Sequence, residues 1–135
     1  MTQRTAFASP IAALNAAHPG QVPRSPAMRA GNLLYLSSMT SIDPQTGEFR
    51  PGSVTEQTRT ALTNIAAQLQ SAGTEPAHAA KVTVHLASIL DYEEMNVVYG
   101  DFFTGDSLPA RTVCAVQMAG GIKVSIECVA VVPSA

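Results

Sequence analysis

The stretch SVTEQTRTALTNIAAQLQSAG, residues 53–73, followed by KVTVHLAS, residues 81–88, decides the fold class. Ser53 and Glu56 stand three apart ahead of an apolar run, so the serine hydroxyl can accept from the Glu56 backbone N–H while the carboxylate reaches back. A helix begins there. Leu62, Ile65, Leu69 and Ala72 recur at helical spacing and Gly73 supplies a left-handed stop, which gives an amphipathic helix with one buried stripe. In the second stretch Val82, Val84 and Leu86 alternate with Thr83, His85 and Ala87, the period of a half-buried strand.

Working outward, Asp91-Tyr92-Glu93-Glu94 reads as a second capping box. It opens a helix that ends near Gly105 and whose inner face is Met95, Val98, Tyr99, Phe102 and Phe103. Ala110 to Met118 and Ile122 to Val132 read as strands, and Ala119-Gly120-Gly121 between them predicts a terminal hairpin. Upstream, Asn32 to Ser38 is a strand that runs into a turn at Asp43-Pro44-Gln45-Thr46-Gly47. The first thirty residues, punctuated by Pro10, His18-Pro19-Gly20, Pro23 and Pro26, predict a short strand and then a long loop. The order β-β-α-β-α-β-β favours an α+β domain, residues 1–135, with both helices on one face of a mixed sheet.

Charged residues make up 13% of the chain, about half the ~25% of typical soluble domains. So little charge predicts that part of the surface, including the second sheet face, is covered by another subunit. The net charge of −2, with Lys81 and Lys123 the only lysines, argues against nucleic acid as a partner. No run approaches the length of a membrane span, and Ser9, Pro10 and Asn15 interrupt the apolar segment from Ala6 to Ala17 that a secretory signal would need. Cytoplasmic location follows as the expectation, with Cys114 and Cys128 as buried free thiols.

Several chemistries are dismissed by inspection: the chain has no phosphate-binding loop, no dinucleotide-binding glycine motif and no CxxC. His18, His78 and His85 lack the spacing of a zinc site, so no metal is expected, and His85 reads as a hydrogen-bonded interior or interface residue. Cys114 has no activating cation beside it in sequence to make it a nucleophile. Arg111 is different, because it starts an otherwise apolar strand where a guanidinium needs an anionic partner or an opening to water. Two readings stand equally: a structural pair with Glu127 on the neighbouring hairpin strand, or a planar fork waiting for a ligand carboxylate.

Leu108-Pro109-Ala110-Arg111-Thr112-Val113, followed after a short turn by Ile122-Lys123-Val124-Ser125-Ile126-Glu127-Cys128-Val129-Ala130-Val131, resembles the C-terminal signature of the reactive intermediate deaminases, the Rid or YjgF family. Residues 31–38, 43–49 and 95–103 match the same family in order and spacing, so the resemblance covers about residues 31–132. It implies a chorismate-mutase-like fold, a homotrimer with sites in the clefts between subunits, and no cofactor. The implied reaction is hydrolysis of reactive enamines and imines, such as 2-aminoacrylate and 2-iminopropanoate, to 2-keto acids and ammonia. By the same resemblance Arg111 holds the substrate carboxylate, the backbone N–H of Val113 assists, and Ser37 and Asn96 belong to the cleft.

This chain departs from the family pattern at four positions. Ser125 stands where the resemblance expects the glutamate that handles water and leaving ammonia, and a serine is no general base at neutral pH without a partner to take its proton. Arg24 matches the loop tyrosine, Ser38 the glycine after the strand serine, and Val113 the cysteine after the arginine. Strand period puts Ser125 and Glu127 on one face, expected to be the face that carries Arg111. The leading reading is an imine hydrolase, since orientation alone accelerates attack on an electrophile. Its rivals are a non-catalytic 2-keto acid or carboxylate binder, and a pathway enzyme that uses the cleft on a larger substrate with Arg24 as a second anion contact.

Overall fold

The computed structural model describes residues 3–11, 15 and 23–134. The chain runs β1 (Arg4–Phe7), β2 (Ala27–Ala30), β3 (Leu33–Leu36), α1 (Val54–Ser71), β4 (Ala79–Leu86), α2 (Tyr92–Phe102), β5 (Ala110–Ala115) and β6 (Val124–Val131). The strands form one mixed six-stranded sheet in the order β1-β2-β3-β6-β4-β5, with α1 and α2 packed against each other and on its core face. This is the α+β architecture that the element order predicts and the chorismate-mutase-like fold that the family resemblance implies.

The capping box at the start of α1 is formed in both directions: Glu56 N donates to Ser53 Oγ at 3.1 Å and Ser53 N to Glu56 Oε1 at 3.3 Å. Its buried stripe of Leu62, Ile65 and Leu69 meets Val82, Val84 and Leu86 of β4, Val124 and Ile126 of β6, and Met95 of α2. Burying each such side chain is worth roughly 1.5–3 kcal/mol, so this layer holds the helices to the sheet. From Val82 onward every second residue of β4 is buried in it, as is every second residue of β6, and residues between them, including His85, Ser125 and Glu127, are half-buried on the opposite face.

Four expectations are corrected. First, Ala27–Ala30 is a strand of its own, paired with β1 and β3, where the proline-rich sequence reads as loop; residues 12–14 and 16–22 of that predicted loop, with His18-Pro19-Gly20, lie outside the described residues. Second, the terminal strands are not a hairpin. β5 runs parallel to β4 and β6 runs antiparallel to it on its other side, so β4 separates them. The intervening loop crosses the end of β4 and is tied to α1, where Gln57 Nε2 donates to Gly121 O at 3.0 Å and Gln57 Oε1 accepts from Lys123 N at 2.9 Å. Third, Asp91 caps α2 without a side-chain hydrogen bond; the chain turns into α2 through a 3₁₀ turn, Ile89–Asp91, where Ser88 Oγ accepts from Leu90 N at 3.2 Å. Fourth, Cys128 is buried but Cys114 only half-buried, both free.

Candidate functional site

β5 lies at one edge of the sheet, and its register with β4 pairs Arg111 with Val82 and Val113 with Val84. Paired residues project to the same side, so the Arg111 side chain leaves the sheet on the helix-bearing face. There it meets α2, whose Tyr92, Asn96 and Tyr99 follow at spacings of four and three and therefore share one helix face. Arg111 Nη1 donates to Asn96 Oδ1 at 2.7 Å and Nη2 to the Tyr92 hydroxyl at 3.1 Å. Its guanidinium carbon stands 4.7 Å from the Tyr99 ring centroid and 5.7 Å from that of Tyr92, within the range of cation–π attraction.

Both hydrogen bonds end on neutral oxygens. Among the described residues the one ion pair is Arg50 with Asp43, at 3.1 Å, so Arg111 is oriented by its neighbours without being neutralised. Three of its five N–H groups are free of side-chain acceptors among the described residues. That decides between the two sequence readings of Arg111 as far as Glu127 is concerned: Glu127 is in register with Thr83, on the other face of the sheet and two strands away. The expectation that Ser125 and Glu127 share the face of Arg111 is corrected with it. They do share a face with each other, but β5 and β6 both register on β4 so that Arg111 falls on the core side and they fall on the open side.

The remaining candidates gather in a second place. Arg24, Ser37, Ser38 and Glu127, with Arg4 and Tyr35, line an open groove of about 960 Å³ beside β2 and β3. Ser37 Oγ donates to Ser25 O at 2.8 Å, which spends its proton and leaves oxygen lone pairs for a ligand. Ser125 is adjacent to Glu127 along β6 but does not line the groove. Val113 lies two residues beyond Arg111 and packs on the core. Within this one chain, then, the structure brings Arg111, Asn96 and Val113 to one location and Arg24, Ser37, Ser38 and Glu127 to another.

The sequence reading missed Tyr92, taken as part of a cap, and Tyr99, taken as core alone. Their spacing with Asn96 on the helix that precedes the arginine-bearing strand was the available signal. The Tyr92 phenol is held below its ordinary pKa by the neighbouring Asn96 side chain and then by the Arg111 charge. Desolvation pushes Tyr99 the other way, against the pull of Arg111, and its hydroxyl is buried with no hydrogen-bond partner. Burial also pushes the Cys128 thiol up to about 12. Among the described residues no three His, Cys, Asp or Glu side chains form a group able to hold a metal ion, and no helix is long and apolar enough to cross a membrane.

Comparison with known proteins gives a consistent picture. A family model described as Endoribonuclease L-PSP matches residues 15–132. A RutC family protein of Pyrococcus horikoshii is 40% identical over 109 residues, 80% of this chain and 86% of its own. The 2-iminobutanoate/2-iminopropanoate deaminase of Mus musculus is 38% identical over 112 residues, 81% of each chain. Among solved structures, YyfA of Yersinia pestis, a protein of the conserved Rid family, superposes with a TM-score of 0.84 at 30% identity over 96% of this chain and 100% of that one. E. coli TdcF, solved with bound serine, gives 0.75 at 30% identity over 82% and 88%.

Proposed function

This chain belongs to the Rid (YjgF, L-PSP endoribonuclease) family, and from that premise we propose that it is a hydrolytic deaminase of small reactive 2-imino and enamine acids, releasing 2-keto acids and ammonia. The observation that carries the reading is the Arg111 cradle: a guanidinium fixed by two neutral oxygens, flanked by two aromatic rings and lacking a protein carboxylate among the described residues. A 2-imino acid supplies the missing carboxylate, and a planar fork takes it through parallel charge-assisted hydrogen bonds. That fixes the electrophilic carbon in place for water, and orientation supplies much of the acceleration. The likeness to a protein named 2-iminobutanoate/2-iminopropanoate deaminase supports this substrate class, and a relative solved with bound serine supports a small carboxylate ligand.

The assembly proposed is a homotrimer in which the Arg111 cradle of one protomer faces the Ser37–Glu127 groove of the next. Exposed Ile89, Leu90, Val97, Leu108 and Val116, together with the open sheet face, provide apolar surface for such contacts. In that cleft Asn96 orients Arg111, Ser37 and Ser38 border the substrate, the Val113 backbone assists the carboxylate, and Glu127 is the carboxylate nearest the water. No cofactor or metal is assigned, no nucleic-acid or membrane partner is proposed, and the two free thiols fit a reducing cytoplasm.

Ser125 favours a second reading, a non-catalytic binder of 2-keto acids, since a serine brings no carboxylate to the place where the family resemblance expects one. The two part in an assay that generates 2-iminopropanoate in situ with an amino-acid oxidase and follows its loss against semicarbazide trapping. Hydrolysis above the no-protein control that disappears in Arg111→Ala supports the enzyme; pyruvate binding without hydrolysis supports the binder.

A further inference from the structure

The cradle contains a donor that carboxylate capture by Arg111 does not by itself use. Tyr92 opens α2, is 39% exposed, and its hydroxyl oxygen accepts from Arg111 Nη2 at 3.1 Å. Asn96, one turn later, accepts from Nη1 at 2.7 Å. A phenol both accepts and donates. The oxygen of Tyr92 is engaged by the guanidinium and neighboured by the Asn96 side chain, and no hydrogen bond donated by its proton is found among the described residues. An O–H that accepts from a cation is polarised by it, and the polarisation strengthens whatever bond the proton makes next. An anion seated on Arg111 lies within reach of that proton.

We infer that the Tyr92 hydroxyl is a substrate-binding group, donating to the same carboxylate that Arg111 holds, so that the site takes an anion only while the phenol is protonated. The inference rests on the Arg111 reading and deepens it. Arg111 is only half-buried, and a half-buried guanidinium pairs with a carboxylate less strongly than a fully buried one, because water and salt partly screen the pair. A second, neutral donor adds a charge-assisted hydrogen bond without adding charge. Ionised, the same phenol does the opposite: Tyr92 phenolate pairs with Arg111 internally, neutralises it and repels the incoming carboxylate.

The groups that bear on Tyr92 are few. Arg111 faces it from β5, Asn96 neighbours it on α2, and Tyr99 stands beside the guanidinium from the same helix, with Cys128 of β6 next to Tyr99. Glu93 and Glu94 are exposed in the same first turn. Tyr92 is displaced toward earlier ionisation and Tyr99 and Cys128 toward later, so the exposed phenol loses its proton before the buried groups do.

Tyr92→Phe isolates the hydroxyl, since the ring and its contact with Arg111 stay. Pyruvate is the probe, titrated by calorimetry from pH 7 to 10 into wild type, Tyr92→Phe and Arg111→Lys. Wild type should bind, and its affinity should fall about tenfold per pH unit once Tyr92 ionises. Tyr92→Phe should bind about 10- to 100-fold more weakly at neutral pH, the worth of one hydrogen bond to a charged group, and should lose the alkaline fall. In wild type the phenolate absorbance attributable to Tyr92, obtained by difference from Tyr92→Phe, should move to higher pH under saturating pyruvate. If Tyr92→Phe matches wild type in affinity and pH profile while Arg111→Lys loses binding, the inference is overturned and the Arg111 carboxylate reading stands. If Arg111→Lys binds as wild type does, or wild type binds no pyruvate, the Arg111 carboxylate reading falls and this inference falls with it.

Discussion

The Arg111 cradle and the Ser37–Glu127 groove lie on opposite faces of one sheet, and they are built differently. In the cradle a cation is held by two hydrogen bonds and two rings from a single helix, so its direction is set before any ligand arrives. The groove is open, with exposed Arg4 and Arg24 on its walls and one carboxylate, Glu127. Preorganisation is concentrated where an anion would be gripped and is sparse where water would be handled. The contrast teaches that, in the proposed function, carboxylate recognition and water chemistry are separate parts, joined only if two copies meet.

The largest effect is therefore all or none. Light scattering on a sizing column should give a trimer at micromolar concentration. A monomer would leave the two halves on opposite faces of the same molecule and remove the composite site.

Next comes the cradle itself. Arg111→Ala should weaken pyruvate binding by about 30-fold to several thousandfold, the range expected when one member of a hydrogen-bonded charge pair is removed, whereas Glu127→Gln should change it only by a few-fold. Equal losses in calorimetry would mean that the groove grips the anion too, and the division of labour would dissolve.

Catalysis sharpens the contrast from the other side. Ser125→Glu should raise imine hydrolysis by about 10²-fold, the low end of general acid–base assistance, while pyruvate affinity stays put. If Glu127 already serves the water, wild type is active and Glu127→Gln abolishes turnover instead. Should wild type and both variants match the no-protein control while pyruvate still binds, the binder reading is the one that survives.

These experiments also show where the sequence was informative. Helix α1 and strand β4 were readable because their signals are local: a three-residue cap and two clean periods. Strand β2 was not, since Ala27-Met28-Arg29-Ala30 has neither alternation nor branched residues and owes its extension to β1 and β3 on either side. The pairing of β5 and β6 was misread for the opposite reason: Ala119-Gly120-Gly121 is good turn chemistry, but α2 carries the chain back so that β5 joins β4 in parallel, a contact set by the tertiary fold. The site followed the same rule. Arg111 stood out as a charge in an apolar strand, and strand period put Ser125 beside Glu127 correctly. Which face that was depended on registering both strands on β4, information that no stretch of β6 contains.

The smallest effect concerns the inner wall of the cradle. Cys128 and Tyr99 are buried near one another with their proton losses delayed by desolvation, Cys128 to about 12. A group whose folded pKa lies above its unfolded value binds its proton more tightly when folded, so the stability it contributes is complete below the unfolded pKa and is lost as pH rises toward the folded one. For Cys128 that window opens near the ordinary thiol value of 9.0 and closes near 12. Between those limits stability should fall by roughly 1 kcal/mol per pH unit, which lowers a urea midpoint by about 0.5–1 M per unit at the slopes usual for small domains. Cys128→Val, which keeps an apolar side chain in the strand, should flatten that decline in part and leave the share due to Tyr99. A urea midpoint equally steep in pH for wild type and Cys128→Val would mean that the thiol is solvated in the native state, and the cradle's inner wall would then be as open as the groove.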